Sequence, residues 1–225
     1  MQLLAAGKFI EDRGAWKWNE IWDTIVRLDP DIVEAYATYS SIPDKRGYLN
    51  IRVRKFIYIA IDSITGSQNV SGLKGHMKHA LQLGITLREI LAVLEITSML
   101  GSTSYSLGIP LLMDKLRQRG IDVDSRRLTC EQEKLKEDYI RDNNGYWSQN
   151  LENILKMDTD YFSSFTAFED VPRKTGTLSP KERELVYIAV HAAPVSLNMD
   201  ALKLHISMPL TAVQQRRKSW KFSIW

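Results

Sequence analysis

The stretch GLKGHMKHALQLG, residues 72–84, places one histidine on the apolar side of a predicted helix. Leu73, His76, Met77 and Ala80 lie at positions i, i+3, i+4 and i+7 of a single helix face. Gly84 closes the stretch at a position where helices commonly end. The pattern therefore predicts a helix with His76 on its buried side, either packed as a neutral imidazole or belonging to a site.

An internal repeat covers most of the chain and includes this histidine. Residues 19–81 align without a gap on residues 148–210, and 17 of the 63 pairs are identical. His76 recurs as His205, and the triplet Tyr-Ile-Ala at 58–60 recurs at 187–189. Self-similarity over this length predicts a tandem duplication.

Both halves contain the start signals of helices. Asp29 is an N-cap before a proline at the first helical position. Ser179 opens a capping box that Glu182 completes, and Thr86 opens another with Glu89. Further helices are predicted for about 50–65, 70–83, 86–100, 103–119 and the middle of 121–144. The helix over about 50–65 is expected to bury Val53, Phe56, Ile57, Ala60 and Ile64. Since no run alternates long enough to indicate a strand, we expect an all-α fold.

The predicted domain boundaries follow the repeat. They are a first unit at 14–120, a connector at 121–144, a second and incomplete unit at 145–210, and a basic tail at 211–225. Because the tail matches nothing in the first unit, we expect a frame-shifted or mis-spliced end, a truncated second unit and a working site around His76. The alternative is a native tail that docks on the exposed helix face through Trp220, Phe222 and Trp225.

Composition excludes several classes of protein. The 225 residues contain no apolar run near the roughly 20 residues that span a bilayer, and we do not expect MQLLAAGKFIEDRG to be a signal peptide. The single cysteine, Cys130, cannot form an internal disulfide, which favours a reducing, cytoplasmic location. Without the four basic tail residues the net charge of +3 becomes 3 − 4 = −1, so we expect no nucleic-acid binding. We expect no metal and no organic cofactor.

The residues from His76 onward resemble the carboxymuconolactone decarboxylase family, which includes the alkylhydroperoxidase-D-like proteins. The resemblance is carried by HMKHAL from His76, GIT from Gly84, REILAV from Arg88 and LG from Leu100. It covers residues 47 to about 112 well and 176 to about 210 in part. It implies an all-α, alkylhydroperoxidase-D-like unit and assembly into a homo-oligomer, a trimer or hexamer around the helix that carries the histidine.

The resemblance also argues against thiol peroxidase activity. Hydroperoxidase members have the motif Cys-x-x-Cys-x-x-x-His, whose thiolate attacks the peroxide. The matching positions hold Asn69 and Gly72 before His76, and Asn198 and Ala201 before His205. The glutamate that these members place one helix earlier falls on Lys55 in the first half and on Glu184 in the second. Neither half therefore has a thiol for this chemistry.

Decarboxylase members of the family use the histidine region to bind a small lactone carboxylate and to handle a proton. Loss of carbon dioxide leaves electron density that must be protonated, so the site needs an acid and a donor for the carboxylate. His76 is the expected principal acid. Lys55, Tyr58 and Asp62 share a face of the preceding helix, although a solvated face is the alternative. The second-half equivalents are His205, Glu184, Tyr187 and His191.

We therefore expect a lyase-like, carboxy-lyase-type or proton-transfer enzyme acting on a small carboxylate, lactone or carbonyl compound. The alternative is a non-catalytic member whose repeats only pack and assemble. Helix capping is an alternative role for the paired Asn69 and Asn198. Cys130 is expected to be an incidental thiol.

Overall fold

The computed structural model describes residues 20–64, 66, 69–123 and 125–208, and within them it contains helices and no strand. The helices are α1 Glu20–Leu28, α2 Pro30–Ser40, α3 Ile42–Arg46, α4 Ile51–Ser63, α5 Val70–Gln82, α6 Leu87–Ser98, α7 Thr103–Gln118, α8 Cys130–Asp142, α9 Gln149–Met157, α10 Thr159–Glu169, α11 Val171–Lys174, α12 Pro180–Ala192 and α13 over 199–208. A 3-10 helix, Met99–Ser102, lies between α6 and α7. The predicted all-α fold is confirmed. The predictions for the N-terminal stretch and for the tail at 211–225 lie outside the described residues.

The helices begin where their capping residues predict. Asp29 caps α2 by accepting a hydrogen bond from a backbone amide of the first turn. Ser179 and Glu182 form both hydrogen bonds of a capping box at the start of α12. Thr86 and Glu89 form the same reciprocal pair at the start of α6. These caps satisfy backbone amides that have no partner within the helix, which is why the helices start at these residues.

Several predicted helix ends lie one or two residues from the observed ones, and those of α5 and α6 are examples. α5 ends at Gln82, and Gly84 lies two residues beyond it with φ of 78°, a left-handed conformation that glycine adopts without strain. The helix predicted to continue through Leu100 ends at Ser98, because the chain tightens there into the 3-10 helix. Differences of this size are common at helix termini.

The chain divides into two compact units, and the larger one combines the described residues before Ser98 with those after Thr175. In this unit α4 packs against α5 and against α12. Its core is fully buried and includes Phe56, Ile59, Ala60, Val93, Ile96, Val186 and Val190. α5, which carries His76, and α13, which carries His205, both belong to this unit.

The buried surface of α4 is wider than the predicted stripe. Val53, Phe56, Ala60 and Ile64 are buried as predicted, but Ile57 is only half-buried. Ile59, which was not expected in the core, is fully buried. The reason is that α4 contacts two helices, α5 and α12, so that a second side of it is covered.

The second unit is Ser98–Thr175. Its core consists of Ile109, Met113, Ile154, Leu155 and Phe162. The helix predicted within the connector is confirmed as α8, and the buried side chain of Gln132 holds it in place. The amide of Gln132 donates to the backbone oxygen of Leu155 and to the hydroxyl of Thr159, both at 2.9 Å.

The two units are defined by packing, whereas the predicted domain boundaries follow sequence similarity. Ser98–Thr175 contains the end of the predicted first unit, the whole connector and the start of the predicted second unit. The boundaries at 14–120, 121–144, 145–210 and 211–225, like the duplication itself, stay predictions. None of the described helices is both long and apolar enough to cross a membrane.

Candidate functional site

The eight predicted site residues form two clusters, both within the larger unit. We define the first histidine site as Lys55, Tyr58 and Asp62 of α4 with His76 of α5. The second histidine site is Glu184, Tyr187 and His191 of α12 with His205 of α13. The structure places each predicted set around its histidine, while the catalytic role of these residues stays a prediction.

The imidazole of His76 is enclosed in the first histidine site, with only 7% of its side chain exposed. Its Nδ1 lies 3.5 Å from Nζ of Lys55, and its Nε2 lies 3.8 Å from Oδ2 of Asp62. The ring of Tyr58 stacks on the imidazole with centroids 4.8 Å apart. Both ring nitrogens of His76 therefore face side chains of α4, Nδ1 at the limit of hydrogen-bond distance and Nε2 at ion-pair distance, and Tyr58 covers one face of the ring.

Lys55 is 1% exposed, so the interpretation of its helix face as solvated is wrong for this residue. Its Nζ lies 5.8 Å from the ring centroid of Tyr58, within reach of a cation–π interaction. A protonated lysine has only donors, so Nδ1 of His76 must accept in this contact. The proton of the neutral imidazole is then on Nε2, which faces Asp62.

Asn69 connects the carboxylate of Asp62 to the start of α5. Its side-chain oxygen accepts from the backbone amide of Gly72 at 3.0 Å, which confirms that Asn69 caps the helix. Its side-chain nitrogen donates to Oδ1 of Asp62, also at 3.0 Å. Burial raises the pKa of Asp62 above its ordinary value, and the hydrogen bond from Asn69 acts in the opposite direction. Asn69 and Gly72, at the cysteine positions of hydroperoxidase members, thus surround a carboxylate.

The second histidine site holds its imidazole through the opposite kind of partner. Oε2 of Glu184 lies 2.8 Å from Nδ1 of His205, so the carboxylate accepts the Nδ1 proton. Tyr187 stacks on the imidazole with centroids 4.2 Å apart and 8° between the planes. Nε2 of His205 then carries the lone pair, and it has no hydrogen-bond partner among the described residues.

His191 occupies the position in the second histidine site that Asp62 occupies in the first. Its ring lies parallel to that of His205 with centroids 5.4 Å apart. Burial, and to a smaller extent the charge of His205, lowers the pKa of His191 to about 4. His191 is therefore neutral at neutral pH. It cannot supply the negative charge that Asp62 brings to the first histidine site.

The two arrangements differ in what they can do chemically. A histidine with a carboxylate on Nδ1 and an open Nε2 has the arrangement of a general acid or base. His205 meets this description, and 15% of its side chain is exposed. His76 has neighbours at both nitrogens and less exposure, so a reacting group would have to displace one of them.

Arg52 forms two ion pairs within the larger unit that the sequence did not indicate. Its guanidinium pairs with Glu89 and, at 3.2 Å, with Glu182. Both glutamates belong to capping boxes, so Arg52 ties α4 to the first turns of α6 and α12. Charge pattern alone could not find it, because the two partners lie 37 and 130 residues away.

Two further observations concern possible metal ligands and the single cysteine. Within the described part of the chain, no group of three or more His, Cys, Asp and Glu side chains is arranged to hold a metal ion. Cys130 is exposed at the first residue of α8, and it belongs to the unit that contains neither histidine site.

The fold and the two sites define a class of all-α proteins in which a stacked tyrosine and an ionisable side chain hold a histidine. A search of solved structures finds a protein from Burkholderia xenovorans LB400, provisionally described as a gamma-carboxymuconolactone decarboxylase subunit, with a TM-score of 0.82. The two sequences are 33% identical over 91% of this chain and 81% of the other. The chain therefore belongs to the carboxymuconolactone decarboxylase family. Neither a scan against protein-family models nor a search of curated proteins finds a match.

Proposed function

We propose that this protein catalyses a proton-transfer step of the lyase type on a small carboxylate, lactone or carbonyl compound. The observation that carries the proposal is the 2.8 Å contact between Glu184 and Nδ1 of His205, which fixes the tautomer and leaves Nε2 for the substrate. The description of the Burkholderia protein supports a substrate that combines a lactone with a carboxylate.

The proposed step is a decarboxylation in which His205 is the acid. The bond between the substrate carbon and its carboxylate breaks, and the electron pair stays on the carbon, stabilised by a neighbouring carbonyl. The protonated imidazole donates its Nε2 proton to that carbon, and Glu184 stabilises the cation before transfer. That proton comes from solvent, which protonates the neutral imidazole at Nε2 before each turnover, so the reaction takes up one proton and releases one carbon dioxide. Such general acid catalysis contributes roughly 10²- to 10⁴-fold to a rate.

His76, the principal acid expected from the sequence, has a less favourable geometry for this role. Its two ring nitrogens face Lys55 and Asp62, and Lys55 is almost fully buried. These contacts favour a second candidate for the first histidine site, a packing role without turnover. The non-catalytic alternative for the whole protein applies only if the second histidine site is also inactive.

A screen of the purified protein against small lactones and keto acids, followed by product mass, tests the proposed function. For each compound that reacts, His205→Ala and His76→Ala are compared with the wild type. We expect His205→Ala to lower turnover by roughly 10²-fold or more and His76→Ala to lower it less. If no compound reacts, the result supports the non-catalytic alternative. If both variants keep full turnover on a compound that reacts, neither histidine is the acid.

We also propose that the protein forms a homo-oligomer in the cytoplasm and has no thiol peroxidase activity. The exposed side of α7 supports self-association, because Leu107, Leu111 and Leu112 are 64%, 68% and 45% exposed. The single cysteine supports a reducing compartment. A monomer mass in light scattering at micromolar concentration would contradict the first of these proposals.

A further inference from the structure

The backbone at Gly72 lies very close to two polar side chains of the first histidine site. A Cβ atom at this position would lie 2.5 Å from Oδ2 of Asp62 and 2.3 Å from Nδ2 of Asn69. Side-chain carbons do not approach polar atoms this closely, so this arrangement requires a residue without a side chain at position 72. Gly72 lies inside α5. The requirement is therefore one of space and not of an unusual backbone conformation.

The second histidine site shows which of the two neighbours needs the space. Ala201 holds the position that matches Gly72, and its backbone amide donates to the capping Asn198 at 3.1 Å, as that of Gly72 does to Asn69 at 3.0 Å. A side chain at this position is thus compatible with a capping asparagine. What differs is the α12 residue that matches Asp62, which is His191. The group that needs a glycine is therefore the carboxylate.

We propose that Gly72 is a positioning residue of the first histidine site, because its missing side chain lets the Asp62 carboxylate reach the Nε2 edge of His76. Asn69 fixes one oxygen of the carboxylate, and the other lies 3.8 Å from Nε2. The negative charge of Asp62 at this edge stabilises the imidazole tautomer with its proton on Nε2. The first histidine site then combines Gly72 with Asp62, whereas the second combines Ala201 with His191. These two pairs give the two histidines different surroundings.

This inference rests on the proposed function only in treating His76 as a site residue. Its test is spectroscopic and needs no turnover, so a failure of the proposed reaction leaves it intact. The imidazole nitrogens of ¹⁵N-labelled full-length protein are observed by NMR, and the His76 signals are assigned by their loss in His76→Gln. The proteins compared are the wild type, Gly72→Ala, Asp62→Ala and the double variant.

We expect Gly72→Ala to shift the Nε2 signal of His76 in the same direction as Asp62→Ala, and the double variant to match Asp62→Ala alone. The matched control Ala201→Gly should leave the His205 signals in place. If Gly72→Ala fails to fold but the double variant folds, the collision with Asp62 is shown directly. An unchanged His76 signal in Gly72→Ala, an added shift in the double variant, or a double variant that also fails to fold would overturn the proposal.

Discussion

The two histidine sites share a stacked tyrosine and differ in the charge of the side chain that faces Nδ1 of the imidazole. In each, a tyrosine from the preceding helix stacks on the ring, with centroids 4.8 Å apart at His76 and 4.2 Å apart at His205. At Nδ1, however, His76 faces the nitrogen of Lys55, and His205 faces the carboxylate of Glu184. The same stacking is thus combined with opposite hydrogen-bond polarity.

This difference indicates that two histidines at matching helix positions can have different chemistry. A carboxylate on Nδ1 leaves the basic lone pair on Nε2, whereas a lysine on Nδ1 leaves the proton there. Only the second histidine site therefore presents a base to an incoming group, even though the sequence pattern around His76 is the more complete one. The following predictions test this contrast.

The largest expected effect is on turnover, at the two residues that face Nδ1. Glu184→Gln keeps the shape of the side chain but removes the charge that stabilises the His205 cation. We expect it to lower turnover by about 10³-fold on a compound found in the screen, with little change in folding. Lys55→Gln is the matched variant and should have a much smaller effect. The reverse order would place the working site at His76.

The second prediction concerns how stability depends on pH at the matching positions of His191 and Asp62. His191 has a pKa of about 4 in the folded protein and an ordinary value of 6.5. Between these values the unfolded chain binds a proton that the folded protein does not, so His191 makes stability fall as pH falls from 6.5 to 4. Over this range His191 lowers the free energy of unfolding by about 3 kcal/mol at most, at 1.36 kcal/mol per pKa unit.

Asp62 should have the opposite dependence. Its pKa is raised by burial above the ordinary value of 3.8, so its contribution is present below that pH and is lost as pH rises through the folded pKa. Urea unfolding of the wild type, His191→Phe and Asp62→Asn across this pH range measures both contributions to the pH dependence of stability. If His191→Phe loses stability toward pH 4 as steeply as the wild type, His191 is not buried as described.

The third prediction concerns stability at neutral pH. Lys55→Met removes a buried ammonium whose desolvation costs several kcal/mol, but it also leaves Nδ1 of His76 without its donor. Because these effects oppose each other, we expect the free energy of unfolding to change by less than about 1 kcal/mol. Glu184→Met removes a charged hydrogen bond and should lower it by about 1.5–3 kcal/mol. Denaturant unfolding of the two variants, with a methionine at the exposed Lys74 as a control, compares the two changes in free energy. Equal losses of stability at Lys55 and Glu184 would contradict the expected difference between the two sites.

The smallest expected effect is at the cysteine. Because Cys130 lies in the unit that contains neither histidine, Cys130→Ser should leave turnover and peroxide consumption at their wild-type levels. A peroxide-consumption assay of both proteins measures this. Peroxide turnover that disappears in the variant would mean that the thiol, and not a histidine, performs chemistry.

Much of the fold could be predicted from local signals in the sequence. Asp29, Ser179 and Thr86 mark helix starts because a cap acts within one turn, and the helix within the connector follows from its own pattern. Ile59 could not be predicted, because its burial depends on α4 contacting two helices. The burial of Lys55 has the same cause, since a stripe of polar residues on one helix does not show what covers it.

The site could be predicted in part. The shared face of Lys55, Tyr58 and Asp62 follows from helix geometry, and the repeat supplies the second set. Which ring nitrogen each residue faces depends on the side-chain packing between helices. The hydrogen bonds of Asn69 with Asp62 and Gly72 likewise depend on how closely α4 packs against α5, which sequence spacing does not define.

The tautomers of the two histidines test the central claim most directly. Long-range ¹H–¹⁵N correlation spectra of the wild type at mildly alkaline pH, with signals assigned by His76→Gln and His205→Gln, distinguish a proton on Nδ1 from one on Nε2. We expect opposite tautomers, Nε2–H for His76 because of Lys55 and Asp62, and Nδ1–H for His205 because of Glu184. The same tautomer at both histidines would contradict the proposed difference between the two sites.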